Sequence, residues 1–202
     1  METDNKLLND AYRIAAGDIV GNIVYYQNGL LTEEKPCMIA GLDYNTPWTR
    51  DTAINIWNAL SILSPEVSKN TLLAVLEEEE GNIYIGGQYW DSIIWMIGAR
   101  EYCRFHKDDN FYRLAFEAGR NSVHRLEEDE FDEEDGLFRG PAVYGDGIAA
   151  YPDKYSKCPN QGSGILEWVD YPGNPVYPKG YGIPMKALST NCCLLYTSDA
   201  AD

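Results

Sequence analysis

The sequence predicts an all-α fold whose helices lie in two layers. Helices that are apolar on one side alternate along the chain with helices that are apolar on nearly every side. A helix that is apolar all round has to be covered on all sides, whereas a one-sided helix can face water. Two concentric rings of helices would produce this alternation, and a two-layer helical solenoid would produce a similar one.

The first three predicted helices show the alternation. Residues 5–16 form a one-sided helix, and residues 52–63 form a helix that is apolar on almost every side. Ser64 and Pro65 then supply the N-cap and the first helical residue of an amphipathic helix over residues 67–79. The stripe that we expect the first helix to bury consists of Leu7, Leu8, Ala11, Tyr12 and Ala15.

Two further helices repeat the pattern. Residues 90–106 have an entirely apolar centre, and Asp108 or Asp109 can cap a one-sided helix over residues 111–127. Every all-round helix passes into the next helix through a very short turn, and every long connection leads into an all-round helix. The long connections therefore gather at one end of the fold, where binding and catalytic residues usually lie. These connections are residues 17–51, 81–89 and 129–184.

Charge and composition exclude several classes of function. The formal net charge of −16 argues against nucleic acids and anionic membranes as partners, and it suits a neutral ligand such as a carbohydrate. Neither a secretory signal nor an apolar run long enough to span a bilayer is visible, and five irregularly spaced cysteines do not resemble a disulfide framework. We therefore expect a cytoplasmic protein. His106 and His124 have no ligand-like companions, so we expect neither a metal site nor a cofactor.

The last ten residues differ from the rest of the chain. Residues 193–202, "CLLYTSDAAD", match the in-frame translation of a common transposon-type sequencing-library adapter. We expect them to be a processing scar, and we expect the native sequence to be interrupted at about Cys192. Residues 1–192 are then the N-terminal part of a single domain.

Two loop-to-helix junctions carry residues that suit sugar binding. Sugars are bound by aromatic faces that stack on their C–H surfaces and by charged or amide groups that bind their hydroxyls. A purely structural interpretation is that Asp51 or Thr52 caps the helix and that Arg50 pairs with a neighbouring carboxylate. The junctions place Trp48, Arg50 and Asp51 at one helix start and Gln88, Tyr89, Trp90 and Asp91 at the next.

These junctions resemble a known superfamily. "PWTRDTAINIWNAL" resembles the segment of glucoamylases and glycogen-debranching glucosidases that enters the second, inner helix of a six-hairpin α/α toroid, and "GGQYWDSIIW" is similar to a helix start of trehalase-like members. The resemblance implies that this chain is the front half of such a toroid, over about residues 41–192. It also implies that Arg50 and Asp51 hold the sugar, that Trp48 walls the pocket, and that Trp90 and Asp91 contact the sugar.

The resemblance places the general acid in the connection over residues 129–184. Asp146 is our first choice, because flanking glycines free the backbone and Tyr144 can help to keep the carboxyl dry, which raises a carboxyl pKa. Glu167, beside Trp168, is the alternative. Each of the two acids can instead be an ordinary turn or surface residue.

The function that we expect is that of an exo-acting glycoside hydrolase of the inverting type, which acts on glucoside-type bonds of an oligo- or polysaccharide. Inverting enzymes use an acid and a base about 6.5–9.5 Å apart. The resemblance places the base beyond Cys192, so we expect this stretch alone to be inactive and prone to aggregate. The alternatives are another enzyme of the same fold (epimerase, lyase or phosphorylase) and a non-catalytic helical scaffold or carbohydrate-binding protein.

Overall fold

A computed structural model of the chain describes residues 3–41, 43–87, 91–133 and 136–138. This part of the chain is mostly helical, which confirms the coarse form of the fold prediction. No helix within it is both long and apolar enough to cross a bilayer. The chain divides into two compact units. The first consists of Met1–Gly87 with Ile94–Gly119, and the second consists of Gln88–Ile93 with Arg120–Asp202.

Five helices follow one another in the predicted order. The second helix is continuous but changes its hydrogen-bonding pattern: an α-helical run is followed by a wider π-helical run and a final α-helical turn. The first residue of this helix is Thr49, three residues earlier than predicted. The helices are α1 (Lys6–Gly21), α2 (Thr49–Asn55, Ile56–Leu60 and Ser61–Leu63), α3 (Pro65–Ala74), α4 (Asp91–His106) and α5 (Asp109–Glu130).

Short antiparallel strand pairs lie in the connections, so the all-α prediction is wrong in this detail. All three pairs join strands that are neighbours in sequence. They give the backbone groups of these segments hydrogen-bond partners, and β3 replaces the end of a predicted helix. The pairs are β1 (Ile23–Tyr26) with β2 (Lys35–Met38), β3 (Leu76–Glu79) with β4 (Asn82–Ile85), and β5 (Phe131–Asp132) with β6 (Leu137–Phe138).

The prediction that the third helix reaches Glu79 is wrong, because α3 ends at Ala74. Glu80 and Gly81 both have positive φ, 52° and 79°, and two such residues between paired strands make a tight hairpin turn. Residues 77–80 are all glutamates, and a helix would bring like charges three residues apart onto one face. A strand instead alternates them between its two faces, which favours the hairpin.

Helices α2 and α4 pack side by side in the first unit and run parallel. A Cβ atom added to Gly98 would lie 2.8 Å from the Cα atom of Ala53, so the two backbones almost touch there. Further along, His106 Nε2 forms a hydrogen bond with the carbonyl oxygen of Ser61. Both contacts join residues 45 positions apart in the sequence, which establishes the parallel direction.

Helices α3 and α5 run antiparallel to α4. Trp95 Nε1 donates a hydrogen bond to the carbonyl oxygen of Leu72 on α3 at 3.3 Å. The Lys69 ammonium lies 2.6 Å from the Asp108 carboxylate, which directly precedes α5. The rings of Tyr102 and Phe111, on α4 and α5, are 5.1 Å apart at their centroids. Two helix hairpins, α2–α3 and α4–α5, therefore share one apolar core.

This core lies in the first unit and draws on all the helices except α1. Its largest fully buried apolar side chains are Trp95, Phe111, Ile56, Leu60, Leu72 and Leu76.

The predicted burial of the α1 stripe is wrong. No residue of α1 is buried, and Leu7 and Ile14 are 80% and 65% exposed. Only the end of the helix reaches the core, through Ile19. The helix forms where its amphipathic pattern predicts it, but no described element covers the apolar side of α1.

Helix α2 is also less enclosed than its sequence predicts. Trp57, Ile62 and Leu63 are 51%, 61% and 54% exposed, although the pattern indicated an apolar surface on nearly all sides. The π-helical run Ile56–Leu60 accounts for the exposure of Ile62 and Leu63. Its wider turn shifts the residues that follow it around the helix axis, so Ser61 rather than Leu63 continues the buried side.

In the second unit, the described residues form the start of α4, the end of α5 and the β5–β6 pair. The rings of Phe131 and Phe138 pack edge to face across this pair, with centroids 5.1 Å apart. On α5, His124 Nδ1 lies 3.0 Å from a carboxylate oxygen of Glu127, one turn away. His124 is therefore helical, as predicted, and its described partner is a local carboxylate.

Candidate functional site

The start of α2 is the region that carries the first predicted sugar-binding stretch. Trp48 is the N-cap residue, with an extended backbone (φ −111°, ψ 138°), and its carbonyl accepts a hydrogen bond from the Thr52 N–H at 2.8 Å. The structural prediction that Asp51 or Thr52 caps the helix is wrong, because the helix already begins at Thr49. Asp51 instead lies in the first turn, where the positive end of the helix dipole stabilises a carboxylate.

Two aromatic rings stand beside this helix start. The Tyr44 and Trp48 rings are 6.0 Å apart at their centroids and inclined at 74°, an edge-to-face arrangement. Both remain accessible, with Tyr44 50% and Trp48 44% exposed. The backbone of this loop is ordered by a turn in which the Tyr44 N–H donates to the carbonyl oxygen of Gly41 at 3.0 Å. The rings form an exposed, polar-edged aromatic corner.

Tyr44 is a member of this corner that sequence reasoning missed. It lies four residues before Trp48 in a loop, and loops have no fixed periodicity that would bring two chosen residues together. The only sequence signal was the presence of another aromatic residue in the same short connection. We call Tyr44, Trp48, Arg50 and Asp51 the α2 mouth.

A hydrogen bond from Thr49 joins the start of α2 to the second predicted stretch. The Thr49 hydroxyl donates to the carbonyl oxygen of Gly86 at 2.8 Å, and both residues are buried. Gly86 directly follows β4, and it begins the "GGQYWD" stretch. The sequence predicted that the connections before α2 and α4 lie at the same end of the fold. This is confirmed for the residue Gly86 of the second connection, which contacts the start of α2.

Gly86 is required by the space around it. Its N–H donates to the carbonyl oxygen of Val75 at 2.9 Å, which extends the β3–β4 pairing by one residue. A Cβ atom at this position would lie 2.7 Å from that same carbonyl oxygen and 2.7 Å from a carboxylate oxygen of Glu77. The next residue, Gly87, has a φ of 104°, which side chains rarely tolerate.

The remaining predicted sugar contacts are only partly described. Gln88, Tyr89 and Trp90 lie outside the described residues. Asp91 is the first residue of α4, belongs to the second unit and is buried. Its sugar-binding role stays a prediction.

The predicted acids also lie outside the described residues. These are Asp146 and Glu167, together with their predicted neighbours Tyr144 and Trp168. The adapter-like residues 193–202 lie outside as well, so these assignments stay predictions.

Cys37, Cys103 and Asp108 are described groups whose pKa values are clearly shifted. Burial raises the pKa of the Cys37 and Cys103 thiols to about 11, so both remain protonated at neutral pH and are poor nucleophiles. Hydrogen bonding to Lys69 lowers the pKa of Asp108, and the Phe111 N–H adds to this effect. Asp108 therefore caps α5 as an ionised carboxylate, which confirms one of the two predicted capping residues.

Among the described residues, no group of three or more His, Cys, Asp or Glu side chains is placed to hold an ion.

No protein-family model, curated protein or solved structure matches this chain. A function has to be argued from its own residues and from the local motif resemblance.

Proposed function

We propose that the α2 mouth is part of the carbohydrate site of a glycoside hydrolase, exo-acting and inverting, on glucoside-type oligo- or polysaccharides. The observation that supports the proposal most directly is the exposed Tyr44–Trp48 corner beside Arg50 and Asp51. Three of the four residues of the α2 mouth, Trp48, Arg50 and Asp51, are those that the motif resemblance indicated. The fourth, Tyr44, supplies a second aromatic ring that the resemblance did not indicate.

The chemistry of the α2 mouth matches the two kinds of surface on a sugar. A pyranose presents a C–H face, which an indole or phenol ring can cover with apolar contact. It also presents a rim of hydroxyls that both donate and accept hydrogen bonds. The Arg50 guanidinium supplies donors in a fixed planar arrangement, and the Asp51 carboxylate supplies acceptors. A neutral sugar is also compatible with the strongly negative chain.

The frame below the α2 mouth is suited to holding these groups in place. Thr52 and Ala53, directly after Asp51, are buried at 2% and 1% exposure. Ile56, one turn later, is fully buried in the core. A site whose supporting backbone is packed into a core loses less conformational freedom when a ligand binds.

The hydrolytic step requires two carboxyl groups on opposite sides of the bond that is cleaved. We assign the proton donor to Asp146, with Glu167 as the alternative, and the base to a residue outside this chain segment. The parallel packing of α2 and α4 and the two helix hairpins support the wider proposal of an α/α toroid. We also propose a cytoplasmic location, with which two free thiols are compatible.

The proposal is tested by sugar binding to the chain. The probes are maltose, trehalose and cellobiose, and binding is measured by saturation-transfer NMR and by titration of chemical shifts. We expect Trp48→Ala and Arg50→Ala to weaken binding of the best probe by about tenfold or more, because each removes a direct contact. Trp57→Ala is the matched control, since Trp57 is a similarly exposed tryptophan on the same helix.

Two results would decide against the proposal. Failure of all three sugars to bind at millimolar concentration would remove the carbohydrate site. Equal weakening by Trp48→Ala and Trp57→Ala would show that the effect is not local to the α2 mouth. Binding without turnover is the result expected of this segment, and a longer clone that binds but never hydrolyses would favour the non-catalytic alternative.

A further inference from the structure

The hydrogen-bond partner of the Thr49 side chain is unusual for a threonine at the start of a helix. Threonine hydroxyls at helix starts commonly bond to backbone groups of the same helix. Thr49 instead donates to Gly86, 37 residues away, and no side chain caps α2. The hydroxyl therefore joins two segments rather than stabilising the helix to which it belongs.

We propose that Thr49 is a positioning residue: its hydrogen bond to Gly86 fixes the first turn of α2 and thereby sets where Arg50 and Asp51 meet a sugar. This inference rests on the proposed carbohydrate site. Thr49 itself is only 6% exposed, so it is not placed to touch a ligand. It acts through the residues that follow it.

The acceptor is held firmly enough to serve as an anchor. The Gly86 N–H is bonded to Val75, and Val75 directly follows α3. Gly86 also lacks room for any side chain. The Gly86 carbonyl therefore has little freedom to move, and its hydrogen bond holds the Thr49 hydroxyl in a correspondingly fixed position.

The donor is equally constrained. A β-branched residue in a helix has few accessible χ1 rotamers, and threonine divides between two of them, so the Thr49 hydroxyl has few directions open to it. The bond is shielded from water, which strengthens it relative to a solvent-exposed one. Because Arg50 and Asp51 are the next two residues, any movement of Thr49 is passed to them through the backbone.

The test compares Thr49→Val, which removes the hydroxyl at nearly constant shape, with Thr49→Ser, which keeps it. Amide hydrogen exchange is followed at Thr52, whose N–H closes the first turn of α2, and at Gly86. Maltose affinity is measured on the same samples. Thr71→Val is the matched control, because Thr71 is another buried threonine whose hydroxyl is hydrogen-bonded, far along the sequence from the α2 mouth.

We expect Thr49→Val to accelerate exchange at Thr52 by about tenfold and to weaken maltose binding by about tenfold, the effect of one lost buried hydrogen bond of ordinary net strength. Thr49→Ser should stay within about twofold of the unmodified chain in both measurements. Thr71→Val should lower the melting temperature without changing maltose affinity.

Each contrary result has a distinct meaning. Unchanged amide exchange at Thr52 in Thr49→Val refutes the claim that the Thr49–Gly86 hydrogen bond fixes the first turn of α2, whatever the maltose affinity is. Faster exchange with unchanged maltose affinity, while Trp48→Ala still weakens binding, refutes the positioning role. Failure of maltose, trehalose and cellobiose alike to bind the unmodified chain overturns the site and the positioning role together, and the exchange data then report only on the hydrogen bond. If Thr49→Val does not fold, Thr49→Cys, whose thiol is a weak donor, replaces it.

Discussion

The close packing of α2 against α4 leads to a quantitative prediction for Gly98→Ala. The added Cβ would lie 2.8 Å from the Ala53 Cα, 3.1 Å from its carbonyl oxygen and 3.3 Å from its Cβ. Backbone atoms cannot rotate out of the way, so the two helices have to separate. Overpacking of this kind costs about 1–3 kcal/mol, and replacing a helical glycine with alanine returns about 1 kcal/mol.

We therefore expect Gly98→Ala to lower the free energy of unfolding by up to about 2 kcal/mol, which lowers Tm by up to about 8 °C for a chain of this size. The assay is urea unfolding followed by far-UV circular dichroism, with thermal melts as a check. Both report on the core that α2 and α4 share.

Two other helical glycines are controls for the same substitution. At Gly119 the added Cβ would meet the Met96 Sδ at 2.6 Å, but this atom is the far part of a flexible side chain that can turn away. At Gly17 nothing lies within 4 Å, so alanine should raise stability by about 0.5–1 kcal/mol through helix propensity alone. A Gly98→Ala variant that is as stable as Gly17→Ala would refute the close packing of α2 against α4.

Two further predictions concern shifted pKa values. Asp108→Ala removes the α5 cap and the ion pair with Lys69, and we expect a loss of about 1 kcal/mol at neutral pH. The folded-state pKa of Asp108 is lowered, so its contribution to the free energy of unfolding is fully present above its unfolded pKa and disappears as pH falls through its folded pKa. The urea unfolding curves of Asp108→Ala and of the unmodified chain should therefore converge in acid. A stability difference that is the same at all pH values would contradict this. Cys37 is buried and Cys103 is half-buried, and both thiols have a pKa of about 11. They should react slowly with a thiol reagent at neutral pH and rapidly only in urea, as read by peptide mass mapping. Equal labelling in both conditions would contradict the raised pKa values.

Much of the helical order could be predicted from the sequence because it depends on local signals. Pro65 at the first position of α3 and Asp108 before α5 mark helix starts by chemistry that involves only neighbouring residues. The β3–β4 pair was missed because Leu73 and Leu76 continued a helical spacing into the run of glutamates. The tight turn at Glu80 and Gly81 favours a strand hairpin over a longer helix. A search for helical periodicity does not detect such a turn.

The site was predictable only in part, for a different physical reason. Trp48, Arg50 and Asp51 are consecutive or nearly so, and a short motif was enough to mark them. The contact between Thr49 and Gly86 joins two residues that are far apart in sequence and have no distinctive pattern of their own. Such contacts follow from how α2 and the β3–β4 pair pack, and a single sequence carries no direct signal of that packing.

The packing of α2 connects its stability to the proposed function. Three contacts fix this helix along its length: Thr49 to Gly86, Ala53 to Gly98, and Ser61 to His106. Arg50 and Asp51 lie between the first two contacts and before the π-helical run, so they belong to the most constrained part of the helix. A displacement of about 1 Å is enough to weaken a preorganised site. Gly98→Ala should therefore weaken maltose binding as well as stability, whereas Gly17→Ala should change stability alone. Loss of stability in Gly98→Ala with full maltose affinity would mean that the α2 mouth is held by Thr49 and Gly86 without help from the helix packing beneath it.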